Sequence, residues 1–551
     1  MLKDLKDTHS PFVLKYDKSA INWYQWNERT LQKAKEEHKA IFLFIGSSTS
    51  HWSDVMQEES FSKKNIIELL NERFIPIIVD KNQRPDIEKY YQKIYLLMNR
   101  QAVSSPLSVF LTEELEPFYV ASYIPPHDVS AQLGFEALLQ TVSRKYISDN
   151  ATLVEKGKDV LSYLQPQEQT IEATKLSLSI MKTIELHAQT LLDKEFGGFT
   201  KAPKFPNVST LELLLDCYEL GKNSEILDAV TLTLDQMSKG GFYDLQNGGF
   251  YSHSLDEAWV TPAQKKTSYD NALLAELYLK AYQITQNVHY KDIAFKTLDF
   301  LLEQRDENNL LALEHESSIT SWNALMVKTL FKASSIDKKY QIKAIESLEA
   351  ILSQHYLNAT LYHSSNIKAF LEDYALLGEA LVSAYQHTLD ESFLIMATQF
   401  SNILIEQFYQ QGRWIFSTNE FKLKEEIADL QLPSGISSAL SLLLSISSLV
   451  DNNYKKFVFK TLELHSFNLM RQPLSSPKLS QMVLRYLKDD IVIKSNLDLL
   501  KENIDKRERI RYPYVLFKTT TDEKFLLCNS HSCFATEEKF ETLISHIESN
   551  A

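Results

Sequence analysis

The chain has 551 residues, 44% of them apolar and 24% charged. That is enough for three or four units at roughly 150 residues per domain and too apolar for a disordered or fibrous chain. Lys plus Arg (58) against Asp plus Glu (72) gives a net charge of −14, which argues against a phosphate-backbone binder, so no nucleic-acid partner is expected. Residues 1–7 are charged with no apolar stretch behind them, and the longest apolar run, 439–450, is broken by serines. It is too short to span a bilayer, and the expectation is a cytoplasmic protein with no membrane partner. Three cysteines in so long a chain exclude a disulfide scaffold.

From about residue 20 to 150, apolar runs alternate with helical stretches. Ala40-Ile-Phe-Leu-Phe-Ile-Gly46 and Phe74-Ile-Pro-Ile-Ile-Val-Asp80 are continuous, as expected of strands buried on both faces. Leu107-Ser-Val-Phe-Leu111 and Phe118-Tyr-Val-Ala-Ser-Tyr123 flank a polar turn and predict a hairpin. Helices are expected over 28–37, 52–56 and beyond, 64–73 and 86–98. The order β-α-β-α-β-β describes a small α/β domain.

Beyond about residue 170 helical periodicity takes over. Residues 270–285 match residues 373–388 at 9 of 16 positions, each followed by a second helix. Looser copies of this hairpin lie at 211–237, 322–355 and 437–470, behind a leading helix at 171–192. Each hairpin has an apolar stripe that it cannot bury alone, so stacking or ring closure follows. Gly/aromatic loops such as Phe196-Gly-Gly-Phe199 and Gly248-Gly-Phe-Tyr251 lie between hairpins; a closed toroid would carry them around its mouth. From about residue 489 short strands return at 491–494, 514–518 and 525–528, with helices expected at 497–505 and 536–548.

In the first region, Gly46-Ser-Ser-Thr-Ser-His-Trp-Ser-Asp54 follows a buried strand and opens a helix. A thioredoxin-like fold carries Cys-x-x-Cys there, because a helix N-terminus stabilises a thiolate. Here the positions are Ser50 and Ser53. A serine hydroxyl neither ionises at neutral pH nor forms a disulfide, which excludes thiol–disulfide exchange at this site. Ser50 instead suits the N-cap of the next helix. Pro106 sits where such folds keep a cis-proline.

These segments, with Trp23-Tyr-Gln-Trp26, His51-Trp52, Tyr123-Ile-Pro-Pro126, Ala202-Pro-Lys-Phe-Pro206, Gly240-Gly-Phe-Tyr-Asp244, Tyr269-Asp-Asn271, Thr320-Ser-Trp-Asn323 and Leu371-Glu-Asp-Tyr374, resemble the thioredoxin-domain proteins of the YyaL and spermatogenesis-associated-protein-20 type. The resemblance implies a thioredoxin-like domain over 1–165, then an (α/α)6 toroid of the six-hairpin glycosidase and N-acylglucosamine 2-epimerase kind over 166–485. A small α/β segment over 486–551 completes the chain. The departures point to a degenerate member. Ser50 and Ser53 replace the two cysteines, and Val103-Ser-Ser105 replaces Gly-Gly-Trp. Ala263 and Lys265 stand for a His and a Glu, and Tyr251-Ser-His253 for His-Arg-Tyr.

At the toroid mouth the reading places Asp244, Asp256, Glu372 and Asp373 as candidate catalytic carboxylates, since glycoside hydrolysis needs two carboxyl groups roughly 5–9.5 Å apart. Tyr243, His253, Trp259, Tyr269, Asp270, Trp322, Asn323 and Tyr374 are candidate binding residues, aromatic faces for a sugar ring and polar groups for its hydroxyls. The competing reading of Asp270 and Asp373, which are equivalent in the repeat, is a duplicated helix N-cap. Cys528-Asn-Ser-His-Ser-Cys533 lacks the further ligands of a zinc site and reads as a free or weakly coupled thiol pair. Neither metal nor cofactor is expected. The leading expectation is a redox-inactive thioredoxin-like domain, structural or docking a protein partner, fused to a toroid that binds a small carbohydrate. The alternative is a sugar epimerase or hydrolase acting in the toroid.

Overall fold

The computed structural model describes residues 5–6, 8–102, 105–129, 133–164, 172–430 and 432–550. The expected boundary at 165/166, and Val103 and Ser104, lie outside them. The chain divides into two compact units: Met1–Thr170 with Glu314–Ser317, and Ile171–Leu313 with Ser318–Ala551.

The first unit runs α1 (Pro11–Leu14), β1 (Tyr24–Gln25), α2 (Glu28–Glu37), β2 (Ala40–Gly46), α3 (His51–Glu59), α4 (Lys64–Arg73), β3 (Phe74–Asp80), α5 (Pro85–Asn99), β4 (Leu107–Leu111), β5 (Pro117–Ala121), α6 (Phe135–Ser148) and α7 (Asn150–Tyr163). The strands form one sheet in the order β1-β3-β2-β4-β5. β1 and β2 run parallel to β3, and β4 is antiparallel to β2 and β5. The continuous apolar runs are the two central strands, β2 and β3, buried at every residue. Trp23, Phe42, Phe44, Phe61 and Phe110 interlock around the sheet. This is a thioredoxin-like fold.

The second unit alternates outer and inner helices. The outer ones are α8 (Ile180–Leu191), α10 (Ser224–Lys239), α12 (Val288–Glu303), α14 (Lys339–His355), α16 (Glu391–Ile403) and α18 (Lys455–Arg471); each leads into an inner one, α9 (Val208–Gly221), α11 (Ser268–Thr285), α13 (Thr320–Ser334), α15 (Leu371–Thr388), α17 (Gly435–Leu449) and α19 (Pro477–Lys488). Successive inner helices pack side by side, and α19 returns onto α9. The ring is closed, an (α/α)6 toroid. The reason lies in the sequence of the inner helices: α11, α13 and α15 are buried around most of their circumference, which a helix accepts only when neighbours cover every side.

The alternation also segregates the connections. Long loops, including the small sheet of β6 (Tyr356–Leu357), β7 (Thr360–Ser364) and β8 (Ile367–Lys368) and the hairpin of β9 (Tyr409–Gln410) and β10 (Arg413–Trp414), all precede inner helices. They gather at the N-terminal end of the ring; short turns close the other. The leading helix begins at Ile180 rather than at 171, which lies outside the described residues.

A four-stranded sheet follows in the same compact unit, with β11 (Ile491–Ser495), β12 (Val515–Thr519), β13 (Phe525–Cys528) and β14 (Cys533–Glu537) in the order β12-β11-β13-β14. α20 (Leu497–Asn503) and α21 (Phe540–Asn550) flank it. Residues 536–537, expected to open a helix, belong to β14, paired with β13. Cys528 and Cys533, expected as thiols, are neighbours across that strand pair and form a disulfide. Among the described residues no helix is long and apolar enough to cross a membrane.

Candidate functional site

In the first unit Ser50 is the N-cap of α3: its Oγ accepts from the Ser53 N–H at 3.3 Å and donates to the Ser105 carbonyl at 3.1 Å. The Ser105–Pro106 peptide is cis. Ser53 is fully buried, and its hydroxyl has no partner among the described residues. Beside them Trp52 stands 49% exposed with its ring 4.8 Å from Tyr123. The site has the shape of a thioredoxin site without its sulfur chemistry.

At the loop end of the toroid the candidate residues hold loops together. Asp244 accepts from the backbone N–H groups of Gln246 and Asn247 and from Lys266 Nζ at 2.8 Å. Burial opposes its ionisation, but Lys266 and the amides of Asn247 outweigh this and hold the carboxyl at about 2. Asp256 accepts from the N–H groups of Ala258, Val260 and Thr261, which together keep its carboxyl below the usual range against desolvation. His253 stacks on Phe205, and burial lowers its pKa. Trp259 is fully buried against Phe242 and donates Nε1–H to the Phe196 carbonyl. Tyr243 is buried against Phe250, and Tyr374 against Phe400 and Phe408.

Asp270 and Asp373 are the third residues of α11 and α15, one turn inside the N-caps Thr267 and Phe370. Asp270 accepts from the Thr267 hydroxyl, and Asp373 from the Phe370 N–H. Asp373 thus reaches back to cap its helix from inside the first turn rather than from the cap position, while Asp270 holds the hydroxyl of its cap residue. Asp373 also accepts from the Ser321 N–H and from His363 Nδ1. Asn323 exchanges hydrogen bonds with the backbone of Leu311, as Asn271 does with that of Phe250. Glu372, next to Asp373 at the start of α15, is half-buried. The structure brings Tyr269 and Trp322 together, ring centres 4.8 Å apart at the starts of α11 and α13.

The largest chemistry lies elsewhere. A cavity of about 330 Å³ occupies the ring lumen towards the C-terminal ends of the inner helices, closed there by residues 507–517. All six inner helices contribute. Lys478 pairs with Glu212 at 2.7 Å, and Lys328 lies 3.4 Å from Glu276 and 3.6 Å from Glu379. Asp216 is held by Lys280, by Gln481 Nε2 at 2.6 Å and by the Tyr514 hydroxyl at 3.0 Å. Burial works against charge on Glu276, but Lys328 and Lys332 prevail and draw its carboxyl far below the usual range. The cover is bonded in place: Gln386 exchanges hydrogen bonds with the Phe517 backbone and accepts from Arg507. A sequence signal was present. Glu276/Lys280 and Lys328/Lys332 are charges four residues apart in the middle and C-terminal turns of helices that are otherwise mostly buried.

Residues 2–165 match the family model Thioredox_DsbH, described as a protein of unknown function, DUF255. The chain is 34% identical to spermatogenesis-associated protein 20 of Mus musculus over 304 residues, 53% of this chain and 38% of that one. It is 33% identical to Uncharacterized protein B0495.5 of Caenorhabditis elegans over 284 residues, 51% and 39% of the two chains. Over these segments the chain is similar to proteins of the spermatogenesis-associated-protein-20 type. The match spans about two fifths of the length of these relatives. Among solved structures, D-mannose isomerase is similar with a TM-score of 0.46 at 14% identity, over 57% of this chain and 97% of that one. Cellobiose 2-epimerase of Spirochaeta thermophila has a TM-score of 0.44 at 11% identity, over 57% and 96%.

Proposed function

We propose that this protein is a binding protein: the toroid takes a small polar ligand into its lumen, and the thioredoxin-like unit is a redox-inert structural or docking module. The cavity carries the first half of the reading. Its volume falls in the range of small-molecule sites, and its wall offers charged groups fixed on rigid helices. Ser50 and Ser53 carry the second half, and the exposed Trp52 beside them suits a protein partner, since half-exposed aromatics are common contact residues.

The second reading, a sugar epimerase or hydrolase at the loop end, is favoured by the Tyr269–Trp322 pair. Against it, Asp244 and Asp256 are committed to loop backbone and Asp373 to its helix cap and His363.

A thermal-shift screen against neutral, amino and acidic sugars and amino acids tests both, because binding raises the melting temperature even without turnover. The lumen reading expects a ligand whose shift is lost in Ser383→Phe, which fills the cavity, and kept in Asp244→Asn and Asp256→Asn. The opposite pattern places the site at the loop end. A flat screen from a cooperatively unfolding protein removes the binding reading.

A further inference from the structure

The lumen lining carries equal numbers of carboxylates and cationic side chains, so it offers no net field to a purely anionic or purely cationic guest. Most of these groups are spent on one another. Two are not. Arg507 donates to the Gln386 carbonyl at 3.0 Å and lies 4.7 Å from the Phe517 ring centre, and among the described residues no carboxylate is within ion-pair distance of it. Glu219 is 6% exposed and has neither ion pair nor hydrogen bond among the described residues. A third group joins them: the buried Gln481 Oε1 accepts nothing, while the Nε2 of the same amide donates to Asp216.

The contrast with their paired neighbours is chemical. Burial lowers Arg507 to about 10, with only the charges of Glu508 and Asp505 opposing it, whereas Arg485, also desolvated, is pushed up by its partner Asp490. Burial likewise raises the Glu219 carboxyl to about 7, with Lys280 opposing it only in part. Buried charges are retained where something pairs with them. A guanidinium with spare N–H groups takes a carboxylate, and an unpaired carboxylate beside a bare amide oxygen takes an ammonium.

We propose that the lumen binds a small amino-carboxylate zwitterion, its carboxylate on Arg507 and its ammonium on Glu219 and the amide oxygen of Gln481. This rests on the reading of the toroid as a binding chamber. Such a ligand has no net charge, as the balanced wall requires, and supplies both missing partners. A neutral sugar would leave both charges unpaired.

Calorimetric titration of the full chain tests it, with amino-carboxylates of graded length from L-alanine through 4-aminobutanoate to 6-aminohexanoate, and with hexanoate, hexylamine and D-mannose as controls. We expect one member of the series to bind at least tenfold more tightly than every control, and Arg507→Gln and Glu219→Gln each to weaken it at least tenfold. Glu219→Gln is isosteric and removes no ion pair, so it folds even if Arg507→Gln does not. Binding of mannose alone, equal binding of the singly charged controls, or an unchanged affinity in Glu219→Gln overturns the zwitterion while leaving a binding chamber. Failure of every compound here and in the wider screen removes both.

Discussion

His363 donates its Nδ1–H to Asp373 at 2.8 Å, with both side chains sealed from solvent. The same carboxylate accepts from the backbone at the start of its own helix and at the start of the neighbouring inner helix, α13. One buried charge thus ties two inner helices and a loop strand together. Replacing Asp373 by Ala leaves three buried donors unpaired, and we expect a loss of about 3–5 kcal/mol, the range for breaking a buried pair. Urea denaturation measures it; a loss under about 1 kcal/mol, the scale of a single exposed contact, would show that Asp373 does not brace the ring.

His355 gives the fold an acid limit. The Thr320 hydroxyl has one proton, donated to the Tyr362 carbonyl at 2.6 Å, so it accepts from His355 Nδ1 at 2.7 Å. Burial lowers His355 to about 4, more than the charge of Asp373 restores, and burial lowers His465 to about 4 as well. The unfolded chain therefore takes up protons from about pH 6.5 downward while the folded chain stays neutral to about 4. Stability falls across that window, each histidine costing up to about 1.4 kcal/mol for every pH step of one. The melting temperature is expected to drop as the pH falls through that window, and to drop less in His355→Gln; identical profiles would refute the assignment.

Lys328 stands between Glu276 and Glu379. Lys328→Met leaves the buried Glu379 without its partner and Glu276 with Lys332 alone, and is expected to destabilise by about 3–5 kcal/mol. Adding Glu276→Gln should recover part of that loss, and a double-mutant cycle reads the coupling. Additive effects would mean that the two side chains do not share one network.

The thioredoxin-like unit makes a clean chemical prediction. The wild-type protein should not reduce insulin disulfides through residues 50 and 53. The double variant Ser50→Cys, Ser53→Cys should gain a thiol that ionises below its ordinary value, because position 50 caps α3 and faces its N-terminus. Iodoacetamide alkylation against pH checks this; a thiol with an ordinary pKa would show that the helix end exerts no such pull.

Much of the fold was legible because burial on both faces writes itself as continuous apolar runs: Ala40–Gly46 and Phe74–Asp80 are the two central strands with those bounds. The duplicated Asp270 and Asp373 segments marked two inner helices of one ring. The candidate site was less legible. Asp244 and Asp256 share their sequence setting with catalytic carboxylates, and only the positions of backbone N–H groups two to five residues on reveal that loop geometry uses them. The lumen pairs look like ordinary solvated helix pairs until the ring closes over them. Arg507 and Tyr514 reach that lumen across 121 residues from Gln386 of α15 and 298 from Asp216 of α9, a juxtaposition that no local pattern encodes.

The return of α19 onto α9 sets a timetable for biosynthesis. Asp216 meets Gln481 across 265 residues of chain and Tyr514 across 298. At roughly 5–20 residues per second on the ribosome, α9 is exposed for tens of seconds before its last neighbour emerges. Throughout that interval it presents leucines on one side and three acids, Glu212, Asp216 and Glu219, on the other. A nascent chain in this state would present apolar surface of the kind holdase chaperones bind, and a message truncated shortly before residue 477 would yield an unsealed ring with α9 uncovered.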